Sequence, residues 1–118
     1  MNKFGNLRIS GCKQDHPLEN IHKKIILEDK HNVIEVIIGN YNKDGFTYCV
    51  AGHNCHIGEE RYNIEPTSEN GLYKSERGAI IGMLSYLWET FSKVWPPEVA
   101  EVVKLAIWEY RQTSLFDY

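Results

Sequence analysis

The sequence lacks any run of basic residues. Its thirteen Lys and Arg are scattered and outnumbered by sixteen Asp and Glu, for a formal charge of −3. A groove that tracks a phosphate backbone needs clustered cations, so direct nucleic-acid binding is expected to be weak or absent. Three cysteines are an odd count and cannot form a complete set of intramolecular disulfides. No run of the roughly eighteen apolar residues needed to cross a bilayer occurs. The opening Met1-Asn2-Lys3-Phe4-Gly5 carries no apolar signal-peptide core. Together these absences suggest a cytoplasmic protein with no membrane association. Paired carboxylates, a Gly-rich phosphate loop, Gly-x-Ser-x-Gly and His-Glu-x-x-His are missing as well, so no enzymatic activity is expected.

What is present fits one domain. A chain of 118 residues can bury about two-thirds of its unfolded surface without metal or disulfide support. The first twenty residues are polar and irregular, with Gly5, Gly11 and Pro17 as punctuation, and are expected to form a lead-in strand or loop. Ile25-Ile26-Leu27 and Val33 to Ile38 are β-branched runs that favour strands, with a polar turn at Glu28–Asn32 between them. Asp44-Gly45 predicts a hairpin into a third strand starting at Phe46 and reaching His53 or Ile57. A short fourth strand is possible at Arg61–Ile64, followed by a loop at 66–71.

The periodicity then becomes helical. Ser75 is a candidate N-cap with Glu76 in the first turn, and Ile80, Leu84, Leu87 and Phe91 recur at helical spacing. Gly78, Gly82 and Ser85 trace a second, small-residue stripe, which predicts a strand or helix packed close against it. Pro96-Pro97 ends this helix and starts another, whose buried stripe is Val99, Val102, Val103, Ala106, Ile107 and Tyr110. The expected fold is therefore α+β: an antiparallel sheet of three or four strands, then two helices, over residues 1–111, with a tail at 112–118. Trp95 or Trp108, if left outside the core, would mark a partner surface.

Two clusters suggest chemistry within the body. Cys12-x-x-x-His16 and Cys49-x-x-x-His53 repeat one spacing, and Cys55-His56 follows. Cys and His are the preferred zinc ligands, but mixed Cys-x₃-His pairs are not the usual zinc spacing, and on a strand Cys49, His53 and Cys55 share one face yet spread along it. Structural cysteines and surface histidines without a cofactor are expected. Cys55 with His53 or His56 could also pair a nucleophile with a base, although neighbours on a strand point to opposite faces. The β-β-β-α order over roughly residues 24–92 resembles double-stranded-RNA-binding domains and the partly RNase-H-like antitoxins of the HicB type. That resemblance implies an alternative role, an RNA- or DNA-associated module using Tyr41, Phe46, Tyr48 and the lysines 23, 24, 30 and 43.

The sharpest motif lies near the C-terminus. Gln112-Thr113-Ser114-Leu115-Phe116 resembles the pentapeptide with which bacterial replication and repair proteins dock on the DNA polymerase sliding clamp: Gln, any residue, Ser or Asp, Leu, Phe. The resemblance covers five to seven residues and implies a docking peptide, not a domain family. Leu115 and Phe116 can enter an apolar pocket together as anchors. Gln112 can satisfy donor and acceptor in a smaller polar subsite, and Ser114 is small enough to leave the bend clear. A Ser-Leu-Phe-Asp ending such as 114–117 is also similar to tails of some mobile-element proteins. The expected function is thus a small accessory or regulatory protein of bacterial or phage DNA metabolism, docked on the clamp through Gln112, Ser114, Leu115 and Phe116. The alternative is that these residues extend the last helix and fold back onto the core.

Overall fold

β-Branched residues at Val33, Ile34, Val36, Ile37 and Ile38 build the central strand of a four-stranded antiparallel meander. A computed structural model describes residues 18–114. Its strands are β1 (Glu19–Glu28), β2 (Asn32–Lys43), β3 (Phe46–Ile57) and β4 (Glu60–Ile64), in the spatial order β1-β2-β3-β4. A 3₁₀ turn at Ser68–Asn70 leads to α1 (Glu76–Phe91) and α2 (Pro97–Ser114). The α+β architecture is thus as the periodicity predicted, with all four strands present. No helix among the described residues is long and apolar enough to cross a membrane.

The turns follow from residue chemistry. Asp44 and Gly45 both have positive φ, 53° and 82°, as a two-residue type I′ hairpin requires. This turn sets the β2–β3 register, in which Tyr41 faces Tyr48 and Ile34 faces Cys55. Between β1 and β2, Asp29 Oδ1 accepts hydrogen bonds from the backbone N–H groups of His31 and Asn32 at 2.8 and 2.9 Å. These bonds hold its carboxyl below the ordinary range. Ser75 caps α1, its Oγ accepting from Gly78 N at 3.0 Å. Glu76 then reaches back to β1, accepting from His22 Nε2 at 2.7 Å with Lys24 Nζ at 3.8 Å.

One sheet face carries the main core. Ile34, Val36 and Ile38 of β2 and Ala51, Cys55 and Ile57 of β3 meet Ile80, Leu84 and Leu87 of α1 and Val99 and Val103 of α2. Trp95, between the helices, joins them at 4% exposure. The far face is closed too: Ile37, Tyr41 and Val50 are buried. Here the chain at Ile64–Pro66 passes directly over Gly52, where a Cβ would stand 2.2 Å from the carbonyl oxygen of Ile64. Asn70 Nδ2 fixes this crossing by donating to the carbonyls of Ala51 and Glu65, both at 2.8 Å.

β1 starts at Glu19, so the end of the stretch expected to be a lead-in strand or loop is strand, paired with β2. Two local expectations need correcting. The small-residue stripe on α1 is filled by the side chain of Tyr73, whose hydroxyl lies where a Cβ on Gly82 would be; neither a strand nor the other helix occupies it. Finally, α2 continues through Ser114, three residues into the segment expected to be a tail. No Gly or Pro interrupts it after Pro97, so nothing stops the helix at Arg111.

Candidate functional site

The candidate docking residues lie at the end of α2. Val99 and Val103 are buried, and Ala106, Ile107 and Tyr110 pack against the core cluster, so helical spacing turns the opposite side outward. That side carries Leu105 at 51% and Trp108 at 59% exposure. Gln112 and Ser114 occupy the final turn of the helix, while Leu115 and Phe116 lie outside the described residues. Arg111 stands in the same last turn, where a cation suits the negative end of the helix dipole.

Beside this turn the two helices leave a groove of about 360 Å³. α1 contributes Ser85, Trp88 and Glu89, and α2 contributes Lys104, Trp108 and Arg111, with Ile107 between them. Ser85 Oγ and Trp88 Nε1 are buried here without hydrogen-bond partners among the described residues. A buried polar atom left unpaired costs about 1–3 kcal/mol, so these two stand out behind the groove's largely apolar lining. Sequence reasoning missed the groove, though the off-stripe position of Trp108 was the signal for it.

The Cys/His residues are dispersed. On β3, Cys49, His53 and Cys55 share the helix-facing side, but Cys49 and His53 are four residues, about 13 Å, apart along the strand. His56 points to the other face, opposite Arg61 of β4. Cys12 and His16 lie outside the described residues. Among the described residues, no three His, Cys, Asp or Glu side chains are grouped to hold a metal ion.

His53 and Cys55 do meet, with Cys55 Sγ 3.7 Å from His53 Nδ1. Contrary to the expectation of surface histidines, His53 is 1% exposed, packed near the rings of Tyr86 and Phe91. Burial drives its pKa down to about 4, against a smaller opposing effect of the Tyr62 backbone. Burial, assisted by the charge of Glu35, pushes the Cys55 thiol up to about 12. An imidazole of that acidity cannot take a proton from such a thiol, so this is a neutral core contact and not an activated nucleophile.

The residues considered for base stacking and phosphate contact are largely engaged elsewhere. Tyr41 is buried opposite Tyr48, as a cross-strand pair, leaving Phe46 exposed at the hairpin tip. Lys23 pairs with Glu35 at 3.1 Å, and Lys24 approaches Glu76. No family model matches the chain, nor does any curated protein or solved structure, which leaves the chemistry of its own surface to point to a function.

Proposed function

We propose that this protein is a small, non-enzymatic accessory factor of bacterial or phage DNA metabolism, acting in the cytoplasm and docking on the polymerase sliding clamp through Gln112, Ser114, Leu115 and Phe116. The observation that carries this reading is the match of Gln112-x-Ser114-Leu115-Phe116 to the clamp-docking pattern, on a helix whose outer side exposes Leu105 and Trp108. Large exposed apolar side chains next to a recognition peptide are what a protein-binding surface carries.

Docking in an extended form requires Gln112–Ser114 to leave the helix. The last four carbonyls of a helix have no intrahelical partner, and Thr113 and Ser114 are weak helix formers, so this turn is the least costly to unwind. Burying Leu115 and Phe116 in an apolar pocket contributes about 1.5–3 kcal/mol each.

The test compares the full chain, a version ending at Arg111 and the double variant Leu115→Ala/Phe116→Ala for binding to a bacterial sliding clamp by calorimetry. Binding near micromolar, about −8 kcal/mol, is expected for the full chain and none for the other two, with all three folded by circular dichroism. Equal binding by the shortened chain, or none by the full one, overturns the proposal.

A further inference from the structure

Of the asparagines in the sequence, only Asn70 is followed by glycine. In that pair an asparagine can modify itself. The backbone nitrogen of Gly71 attacks Asn70 Cγ and closes a five-membered imide. The Cγ–Nδ2 bond breaks, and ammonia leaves with the proton of the Gly71 amide. Water then opens the ring at either carbonyl, giving aspartate or its isomer with one more carbon in the main chain. A side chain on the attacking residue crowds this step, and glycine has none. Gly71 also stands at φ 117° and ψ 152°, a region adopted in practice only by glycine.

The fold engages the reacting groups in other bonds. A side-chain amide nitrogen carries two protons, and Asn70 Nδ2 donates to two acceptors, Ala51 O and Glu65 O, both at 2.8 Å. The attacking nitrogen is engaged as well, Gly71 N donating to Ser68 O at 3.2 Å. Attack therefore requires the Ser68–Asn70 turn to open and Nδ2 to release both carbonyls. Those two bonds are also the clasp on the Ile64–Pro66 crossing above Gly52. An ionised carboxylate at position 70 accepts hydrogen bonds and donates none, so it would set oxygen against the oxygens of Ala51 and Glu65.

We infer that Asn70-Gly71 is a spontaneous deamidation site guarded by the folded crossing, so that a chain that opens there is marked irreversibly by loss of the Asn70 amide. A marked chain has lost its clasp and closes again with a weaker far face. This device goes beyond clamp docking and does not depend on it.

The test incubates the full-length protein in mildly alkaline buffer, folded or unfolded in urea, and follows the exchange of –NH₂ for –OH at each asparagine by peptide mass spectrometry. In urea, Asn70 is expected to convert ahead of every other asparagine. In the folded protein its conversion should be slower by about tenfold or more, as for a crossing open about a tenth of the time or less. Equal rates in the two states overturn the guard, and an Asn70 no faster in urea than Asn63 overturns the site. Asn70→Asp, made directly, is expected to lower the urea midpoint by about 1 M; a variant as stable as the parent refutes the clasp. Should that variant fail to fold, the loss supports the clasp, and the two incubations of the parent chain still decide the site and its guard.

Discussion

Replacing Gly52 with alanine probes how the far face of the sheet is closed. The new methyl carbon would stand 2.2 Å from Ile64 O, 2.6 Å from Pro66 N and 2.7 Å from Glu65 C, where non-bonded heavy atoms ordinarily sit about 3.5–4.0 Å apart. All three obstacles are backbone, so no side-chain rotation relieves the overlap. The Ile64–Pro66 segment must lift away, and the two Asn70 bonds to Ala51 and Glu65 stretch with it. Overpacking costs about 1–3 kcal/mol, and two weakened hydrogen bonds add about 0.5–1.5 kcal/mol each. Alanine recovers about 0.5–1 kcal/mol through its lower entropy cost in a strand. The net expectation is a loss of about 3 kcal/mol, a large part of the roughly 5–15 kcal/mol that holds a domain together. In urea, at a slope of about 2 kcal/mol per molar, the midpoint should fall by about 1.5 M. Gly45→Ala is the control: its site is sterically open but at φ 82°, so about 1 kcal/mol is expected from backbone strain alone. A Gly52→Ala protein as stable as the parent, or less affected than Gly45→Ala, would refute the close crossing.

His53 and Cys55 yield two further predictions. The folded-state pKa of His53, about 4, lies below its ordinary 6.5, so above about 6.5 the residue is neutral folded or unfolded and costs nothing. As pH falls from 6.5 towards 4 the unfolded chain takes up a proton that the folded one refuses, and stability drops by about 3 kcal/mol at 1.36 kcal/mol per pH unit. Chemical denaturation at pH 7 and pH 4.5 should show a smaller drop for His53→Phe than for the parent; parallel drops would disprove a neutral buried imidazole. The Cys55 thiol, pushed up to about 12 and 1% exposed, should resist a thiol reagent at pH 8 until urea unfolds the chain. In a Cys12→Ser background half-buried Cys49 should react first, and rapid labelling of two thiols in the folded protein would contradict the structure.

How far these features were legible depended on whether their cause was local. Asp44-Gly45 marked its hairpin because only a few residues accept positive φ. Ser75 and Pro97 marked their helix starts through capping chemistry that acts within one turn. The run Val33–Ile38 marked a strand through its β-branched residues. Apart from the end of α2, where no local stop signal was present, the misread features involve residues distant in sequence. Nothing in Glu19–Lys24 proclaims a strand until β2 pairs with it. Gly82 signalled a close neighbour, but that the neighbour is Tyr73, held by its backbone bridge to Cys49, is set by the whole chain path. Likewise, the repeated Cys-x₃-His spacing had meaning only if the backbone folded its members together, and an extended β3 keeps them apart. At the candidate site, the peptide was legible as a pattern, and the groove beside it was not, since it needs two helices docked at a particular separation.

The sheet edges carry a consequence for how this protein can meet others. An outer strand with free amides invites a neighbouring chain to add itself, the route to both strand-addition complexes and aggregates. β1 discourages this along its length: its ladder is broken between Glu19 and His22 and again between Ile25 and Leu27, Asn20 turns to φ 52°, and Lys23 and Lys24 stand on it. On the opposite edge β4 stops after five residues, and Tyr73 bridges to Cys49 further along β3, occupying the line that an incoming strand would follow. Growth of the sheet is thus discouraged at both edges of the described residues, which leaves side chains more than free backbone as the surface this fold offers.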